Sequence, residues 1–427
     1  MNSTNQGFGL FSAVMLVIAN VIGAGTFTLT GLMLAEAGHP VLVIAVWVLG
    51  GIIMLSGAVC YGAMATAIPE SGGEYLFLSR TLHPFFGCLA GWVSLMVGFT
   101  APIALCAYGL GLTFSVWTGL SVEWVGTIMI LVFMGAHCIH MPTGLKLQNS
   151  VILIKIILIV AFVGVACSEI NFNNLKVDDS VVSQFSMDAL SLCLIWTFFG
   201  YSGWNAIIYV AGEIRAPHKN LMKATVIGSL CVFLIYLALN LVIVSSQDLS
   251  LLNGRIDVVV QAAEQLSNPL GLKIALVVIN LSLITSLSAM IMMGPRIYSK
   301  MADDGYLPAF LSCRDGSYLN AILFQAALAI VFLWLGSCEW LMTCIGYMLG
   351  LCSALCITSL VRLKLSNKSL LIPFWPFAPA FFLLAVVLTT VYVVFNNPWH
   401  SLMGLLVIVP AAYCWWAGRN ITDGNVK

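Results

Sequence analysis

An apolar segment near the N-terminus is interrupted by two glycines, and this interruption constrains the fold more than any other feature of the chain. Apolar sequence covers residues 8–22 and resumes over 27–34, with Gly23 and Gly25 between the two runs. Glycine in a helix interior costs about 1 kcal/mol relative to alanine, so we expect the helix to unwind here. Unwound backbone exposes N–H and C=O groups that lipid cannot satisfy, so a break of this kind persists only against protein, water or a polar ligand. The break therefore predicts a binding site near the middle of a membrane.

Composition supports a membrane protein. Of the 427 residues, 61% are hydrophobic and only 8% are charged, which is outside the range of soluble domains. The zero formal net charge gives no indication of nucleic-acid binding. Short polar connections indicate a single transmembrane domain over residues 1–427. Twelve apolar segments, called spans 1 to 12, are long enough to cross the hydrocarbon layer as helices: residues 8–35, 40–67, 85–114, 122–140, 147–168, 187–211, 221–246, 269–298, 318–336, 340–361, 373–395 and 399–417.

Basic residues predict the orientation of the chain. If the N-terminus is cytoplasmic, most of the 17 lysines and arginines fall on cytoplasmic loops or helix ends, as the positive-inside rule requires. We therefore expect a multi-pass protein with both termini in the cytoplasm, in a bacterial inner membrane. The 13 cysteines contain no CxxC pair, and His137 and His140 have no carboxylate or thiolate cluster near them in sequence. No metal site and no cofactor are predicted.

A second break of the same kind lies in span 6. Residues 196–205 place Gly200 and Gly203 in an aromatic stretch, five spans after the first break. Breaks at corresponding positions predict two five-helix repeats, over 8–168 and 187–364, followed by two further helices over 372–417. Because five is an odd number, the second repeat has the opposite orientation in the membrane. Ordinary close packing of helices through glycine is the alternative explanation.

Several motifs resemble those of the amino acid–polyamine–organocation superfamily, and they occur in that superfamily's order along the chain. They are Gly23-Ala24-Gly25-Thr26-Phe27 at the first break, Pro69-Glu70-Ser71-Gly72-Gly73-Glu74-Tyr75 after span 2, and Arg296-Ile297-Tyr298 with Asp304-Gly305-Tyr306-Leu307-Pro308 after span 8. A further set of motifs resembles the branch of L-type amino acid transporters: Tyr201-Ser202-Gly203-Trp204-Asn205, followed by Gly212-Glu213-Ile214 and Pro217. The resemblance implies an all-α membrane protein of twelve transmembrane helices. It also implies a LeuT-type 5+5 inverted repeat with broken helices 1 and 6, plus two extra C-terminal helices.

A broken helix complements both charged groups of an α-amino acid. Free N–H groups at the start of a half-helix suit the carboxylate, and free carbonyls at the end of the other half suit the ammonium. The resemblance implies the same assignment, with Phe199 as a gating aromatic and Trp204 and Asn205 in a distal pocket. Tyr236, with Asn240 one turn on, is expected to point toward the site or to join two helices by hydrogen bonds. The predicted substrate-binding residues are Val21, Ile22, Gly23, Ala24, Gly25, Thr26, Phe199, Ser202, Trp204, Asn205 and Tyr236.

The sequence departs from the superfamily's pattern at the first break and in one loop. Ala24 replaces the usual serine, and Thr26 replaces isoleucine and so can restore a hydroxyl. The loop over residues 115–122 lacks the cysteine by which animal L-type transporters bond a partner glycoprotein. We therefore expect no disulfide-linked partner subunit.

Lys155 is the one charge predicted deep inside a span. A lysine at this depth costs about 2.5–3.5 kcal/mol on insertion scales, so it is expected to have a function. The resemblance implies that its ammonium occupies the position of sodium in sodium-coupled relatives and bridges broken helix 1 to hydroxyls of span 8, such as Thr285 and Ser288. This predicts a sodium-independent carrier in which Lys155, Thr285 and Ser288 serve coupling.

The resemblance and the two breaks together predict a secondary active transporter of amino acids that works by alternating access, through exchange or proton coupling. Neutral L-amino acids are favoured because no acidic group is evident near the breaks. A transporter or antiporter of cationic amino acids or polyamines is the first alternative, since carbonyls and aromatic rings also hold cations. A membrane sensor without transport is the second. An enzyme is not expected, because the breaks carry glycines and aromatics rather than reactive groups.

Overall fold

The computed structural model describes residues 9–23, 25–138, 144–176, 186–246, 248–314, 317–336, 338–396 and 408–424. Regular structure in these residues is helical throughout. The helices are α1 (Leu10–Val21), α2 (Gly25–Ala37), α3 (Pro40–Ala67), α4 (Gly73–Thr81), α5 (Pro84–Thr118), α6 (Val122–Cys138), α7 (Gly144–Cys167), α8 (Met187–Gly200), α9 (Pro217–Val244), α10 (Val258–Glu264), α11 (Pro269–Asp303), α12 (Leu319–Leu335), α13 (Cys338–Ser366), α14 (Phe377–Asn396) and α15 (Ile408–Gly424).

Membrane-spanning character is clear for most of these helices. Among the described residues, seven helices are long and apolar enough to cross a membrane, and the bent pair α1 and α2 makes an eighth if counted as one span. Shorter apolar helices, α6, α8 and α12, match three further predicted spans. Span 12 lies partly outside the described residues, as do His140 and Ala24. The count of twelve therefore stays a prediction.

Proline and polar caps explain where several long helices begin. Pro40, Pro84 and Pro269 each stand in the first turn, where a missing N–H costs nothing. His39 accepts a hydrogen bond from a backbone N–H of α3 through Nδ1, and the Asn268 side chain caps α11 in the same way. Each of these helices then continues through apolar sequence that the bundle and the membrane can cover.

Both predicted breaks are present. Helix α1 ends at Val21 and α2 begins at Gly25, with an angle of 41° between them. Helix α8 ends at Gly200, a turn covers residues 201–205, and a 3₁₀ helix follows over Ala206–Glu213. Helix α5 also departs from α-geometry, in a π-helical stretch over Ser94–Thr100. Extra backbone turns of this kind occur frequently at functional sites.

Packing brings the breaks to the centre of the bundle. Helix α9 packs along α3 and α1, whereas α11 packs against α5 and α7. Residues on both sides of each break are buried in one continuous apolar core, and Trp47, Tyr61 and Tyr236 are among its largest fully buried side chains. The unwound backbone therefore faces protein and small cavities, as its polar groups require.

Candidate functional site

The two breaks touch each other through glycine. A Cβ atom placed on Gly25 would lie 2.8 Å from the Cα of Gly200, and one on Gly203 would lie 2.8 Å from the carbonyl oxygen of Asn20. Gly203 also has φ of +97°, a conformation that side chains disfavour. The close crossing of the two backbone segments thus requires glycine at these positions.

A small cavity of about 20 Å³ lies at this crossing. That volume holds one water molecule and is too small for an amino acid, so the site is closed in this conformation. Pro102 and Met290 complete its wall from α5 and α11. The predicted residues that line it are Val21, Gly23, Gly25, Phe199 and Ser202.

Carbonyl groups at the first break are already occupied, which differs from the free carbonyls expected from the sequence. The Val21 carbonyl accepts a 2.7 Å hydrogen bond from the hydroxyl of Tyr236 and a 2.8 Å bond from the N–H of Gly23. Lys155 Nζ lies 3.3 Å from the Ile22 carbonyl oxygen. In this closed conformation, side chains of neighbouring helices take the acceptors that a substrate ammonium would need.

Lys155 is fully buried and has two hydrogen-bond partners. Its ammonium donates to the Ile22 carbonyl and, at 3.1 Å, to the hydroxyl of Thr285 on α11. The expected contact with Ser288 is not formed, because the Ser288 hydroxyl pairs with His137 Nε2 at 2.9 Å. Lys155 therefore joins the first break to one of the two predicted hydroxyls of span 8.

Thr26 adds a polar group to the first turn of α2. Its hydroxyl is fully buried, and no hydrogen-bond partner for it is found among the described residues. The first N–H groups of a helix have no acceptor within the helix. Together these donors make the start of α2 a polar surface inside an apolar bundle.

The second break is held by its own side chains. Tyr201 donates a 3.0 Å hydrogen bond from its hydroxyl to the Trp47 carbonyl of α3. Trp204 is buried and packs edge-on against Tyr61, with the ring centroids 4.7 Å apart. Asn205 donates to Glu74 Oε1 at 3.2 Å. Each large side chain of the turn thus reaches a neighbouring helix or connection.

Trp204 and Asn205 do not line the cavity at the crossing. They face a second cavity of about 30 Å³, which Ser353 and Gly350 of α13 also line. Asn205 additionally reaches a third cavity of about 30 Å³, shared with Ser202. The structure therefore separates these two residues from the five that line the crossing.

Phe199 separates the crossing from a larger, mainly apolar cavity of about 110 Å³. Tyr108 of α5 and Asp257 in the connection after α9 line the larger cavity, and Phe199 lines both. Phe199 therefore lies where the two cavities adjoin.

Three residues near the breaks were not singled out from the sequence. Asn20 lines the crossing cavity and touches Gly203, and its only sequence signal is a polar side chain one position before the end of α1. Ser286 lies so close to Gly23 that an added Cβ would be 2.8 Å from its hydroxyl. Glu74 was assigned to a polar connection, yet it is fully buried and bonded to Asn205. The expectation that no acidic group lies near the breaks was therefore wrong.

Comparison with known proteins gives one consistent result. A family model described as amino acid permease matches residues 8–412. The serine/threonine exchanger SteT of Bacillus subtilis is 28% identical over 415 residues, covering 91% of this chain and 92% of that protein. The Asc-type amino acid transporter 1 of Mus musculus is 24% identical over 433 residues, covering 96% and 80%. The large neutral amino acids transporter small subunit 2 of Mus musculus is 25% identical over 362 residues, covering 79% and 66%.

These relatives are named as transporters or exchangers, and none of these three is named as an enzyme. The family match covers nearly the whole chain, so it includes both breaks, Lys155 and the connection that carries Glu74. The chain belongs to the amino acid permease family, within the amino acid–polyamine–organocation superfamily.

Proposed function

We propose that the protein is a secondary active transporter of neutral L-amino acids that works by sodium-independent alternating access. The observation that carries the proposal is the contact between two broken helices, Gly25 against Gly200 and Gly203 against Asn20, with a small cavity at their crossing. Backbone N–H groups at the start of α2 would bind the substrate carboxylate, and Thr26 would add its unpartnered hydroxyl.

The substrate ammonium would bind where side chains now occupy the carbonyls of the first break. Opening of the cavity would separate the Tyr236 hydroxyl from Val21 and expose that acceptor to the ligand. Phe199 would swing away from the larger cavity to admit the substrate. Side-chain selection would then depend on Ser202, Trp204 and Asn205, which line the adjoining cavities.

Lys155 supports sodium independence. Its fully buried ammonium binds the Ile22 carbonyl and the Thr285 hydroxyl, so these two oxygens would not be free to bind a sodium ion. The fold that this role requires is the LeuT-type arrangement, with repeats over 8–168 and 187–364 and two further helices over 372–417. We place it, as part of the same proposal, in a bacterial inner membrane with both termini cytoplasmic and without a disulfide-linked partner.

The relatives favour neutral substrates. Their names specify serine and threonine in one case and large neutral amino acids in another. Cationic amino acids and polyamines remain the competing substrate class, and a sensor without transport remains the competing function. A single assay separates all three.

The test is a labelled-substrate screen in proteoliposomes containing the full chain. L-serine, L-threonine, L-leucine, L-arginine and putrescine are each supplied outside, with and without the same compound inside, in sodium or choline buffer. We expect counterflow of one or more neutral amino acids, unchanged when choline replaces sodium. Selective uptake of arginine or putrescine would overturn the substrate class, and binding without counterflow of any compound would favour a sensor.

A further inference from the structure

A buried carboxylate lies directly behind the second break. Glu74, in the first turn of α4, has no exposed surface. Its oxygens accept hydrogen bonds from the Tyr61 hydroxyl of α3 at 2.5 Å, from Asn205 Nδ2 at 3.2 Å and from the Cys352 thiol of α13 at 3.1 Å. Three separate elements therefore meet at this one side chain.

Among the residues that the structure describes, no cation pairs with this carboxylate. Among the described residues the ion pairs all involve other groups, and Arg80 on the same helix is exposed and pairs with Glu70. On α11, Lys300 pairs with Asp304. The titratable groups that face Glu74 are phenols and thiols, which are uncharged near neutral pH: Tyr61 of α3, Tyr209 of the 3₁₀ helix, and Cys352 and Cys356 of α13.

Without a cation, the charged form of Glu74 depends on its hydrogen-bond donors. A buried carboxylate is costly unless it is paired or well hydrogen-bonded, and it is neutralised by a proton when that support is lost. Asn205 is the donor that belongs to the unwound turn of span 6. Movement of this turn during transport would therefore remove the Asn205 donor while the donors on α3 and α13 stay.

Asn205 also stands between Glu74 and the cavities of the site. It lines the cavity of about 30 Å³ that contains Ser202 and Asn20, and both of these residues also line the crossing cavity. A volume of this size holds ordered water. Asn205 thus borders this cavity and also donates a hydrogen bond to Glu74, so movement of its amide would bring the carboxylate closer to the cavity.

We propose that Glu74 is a proton-binding site and that the proton is a co-substrate of the amino acid. This inference rests on the proposed transport function. When the turn of span 6 moves, Asn205 leaves Glu74, and the carboxylate takes a proton from the substrate cavity. When the turn returns, Asn205 donates again, the carboxylate is restored, and the proton is released on the opposite side of the membrane with the substrate.

The experiment measures proton movement and exchange separately, in proteoliposomes loaded with a pH-sensitive dye. Wild-type protein is expected to acidify the lumen when L-serine, L-threonine or L-leucine is added outside. Glu74→Gln keeps the size and both polar atoms of the side chain but binds no proton there. We expect this variant to retain counterflow of the labelled amino acid and to lose substrate-driven acidification.

Glu70→Gln is the matched control, four residues before Glu74 on the same connection. Hydrogen bonds from Arg80 lower the pKa of the Glu70 carboxyl, so it is ionised throughout the assay. This variant should acidify the lumen as the wild type does. Tyr61→Phe is the second variant, because it removes the hydroxyl that donates to Glu74 and leaves the packing intact.

Loss of that donor favours the protonated form, so the midpoint of the transport pH profile should move up by about one unit. Acidification by Glu74→Gln equal to wild type would overturn the proposal and assign any proton coupling to another group, such as Lys155. So would wild-type counterflow without substrate-driven acidification, which leaves the transport function standing. Absence of counterflow in the wild type would instead contradict the transport function itself.

Discussion

The two breaks differ in how their unwound backbone is attached to the rest of the bundle. At the first break the side chains are mostly small and apolar, and the backbone carbonyls accept hydrogen bonds from side chains of other helices. Tyr236 donates to the Val21 carbonyl, and Lys155 donates to the Ile22 carbonyl. At the second, the chain carries Tyr201, Trp204 and Asn205, which reach out to other parts of the bundle. The first break therefore presents backbone, which on the proposed function would bind any amino acid, and the second presents side chains, which would distinguish one amino acid from another.

Because of this difference, we expect mutations at the two breaks to have different effects. Removing an outside donor at the first break should affect every substrate, because we propose that the carboxylate and ammonium common to all amino acids bind there. Removing a side chain at the second should alter selectivity or local stability and leave the common binding mode in place. The predictions below test that division, beginning with the largest effect.

Lys155→Met should abolish transport of every substrate. The substitution keeps much of the side-chain volume but leaves the Ile22 carbonyl and the Thr285 hydroxyl without their common donor, at about 1–3 kcal/mol for each buried group. Counterflow in proteoliposomes checks the result, after size-exclusion chromatography has shown a folded protein. Lys176→Met, at an exposed lysine, is the control and should transport normally. Near-normal counterflow by Lys155→Met would remove Lys155 from the mechanism.

Alanine at the glycines of the crossing should reduce transport strongly, and more at Gly203 than at Gly25. Both new Cβ atoms would meet backbone at 2.8 Å, and Gly203 also has the positive φ that alanine avoids. A shift of this size at a binding site is expected to lower uptake at least about tenfold. Initial rates of labelled uptake measure the effect.

Gly135→Ala is the control for these substitutions. Gly135 lies in α6, away from the crossing, and a Cβ there meets nothing within 4 Å. It should transport at the wild-type rate. Equal rates for Gly203→Ala and Gly135→Ala would show that the close approach of the two breaks does not matter for function.

Much of this arrangement could be predicted from the sequence, because glycines in apolar segments and a lysine inside a span are strong local signals. Both breaks follow from such signals, whereas the contact of Lys155 with Thr285 was expected only from the resemblance to the superfamily. The pairing of Ser288 with His137 could not be predicted, since it depends on how α6 rotates against α11. Glu74 was missed for a similar reason. A polar connection normally lies at the surface, and only tertiary packing shows that α4 folds back beneath span 6.

Two tyrosines that contact each other give the most sensitive test of whether the two breaks have different roles. Tyr236 and Tyr201 have ring centroids 5.1 Å apart, and each donates one hydrogen bond from its hydroxyl. Tyr236→Phe removes the donor to Val21 at the first break, whereas Tyr201→Phe removes the donor to Trp47 in α3. Each loss is worth about 0.5–1.5 kcal/mol. We expect Tyr236→Phe to raise the KM of all substrates severalfold in a common ratio.

Tyr201→Phe should leave KM nearly unchanged and lower only the thermal midpoint of the protein. The Trp47 carbonyl lies within α3, where the helix supplies its own hydrogen bond, and Trp204 and Asn205 still hold the turn. Substrate-dependent changes in KM for Tyr236→Phe would mean that the first break also selects side chains. A common loss of affinity in both variants would mean that the two breaks act as one unit, because the contact between the two rings would then transmit either change to the same site.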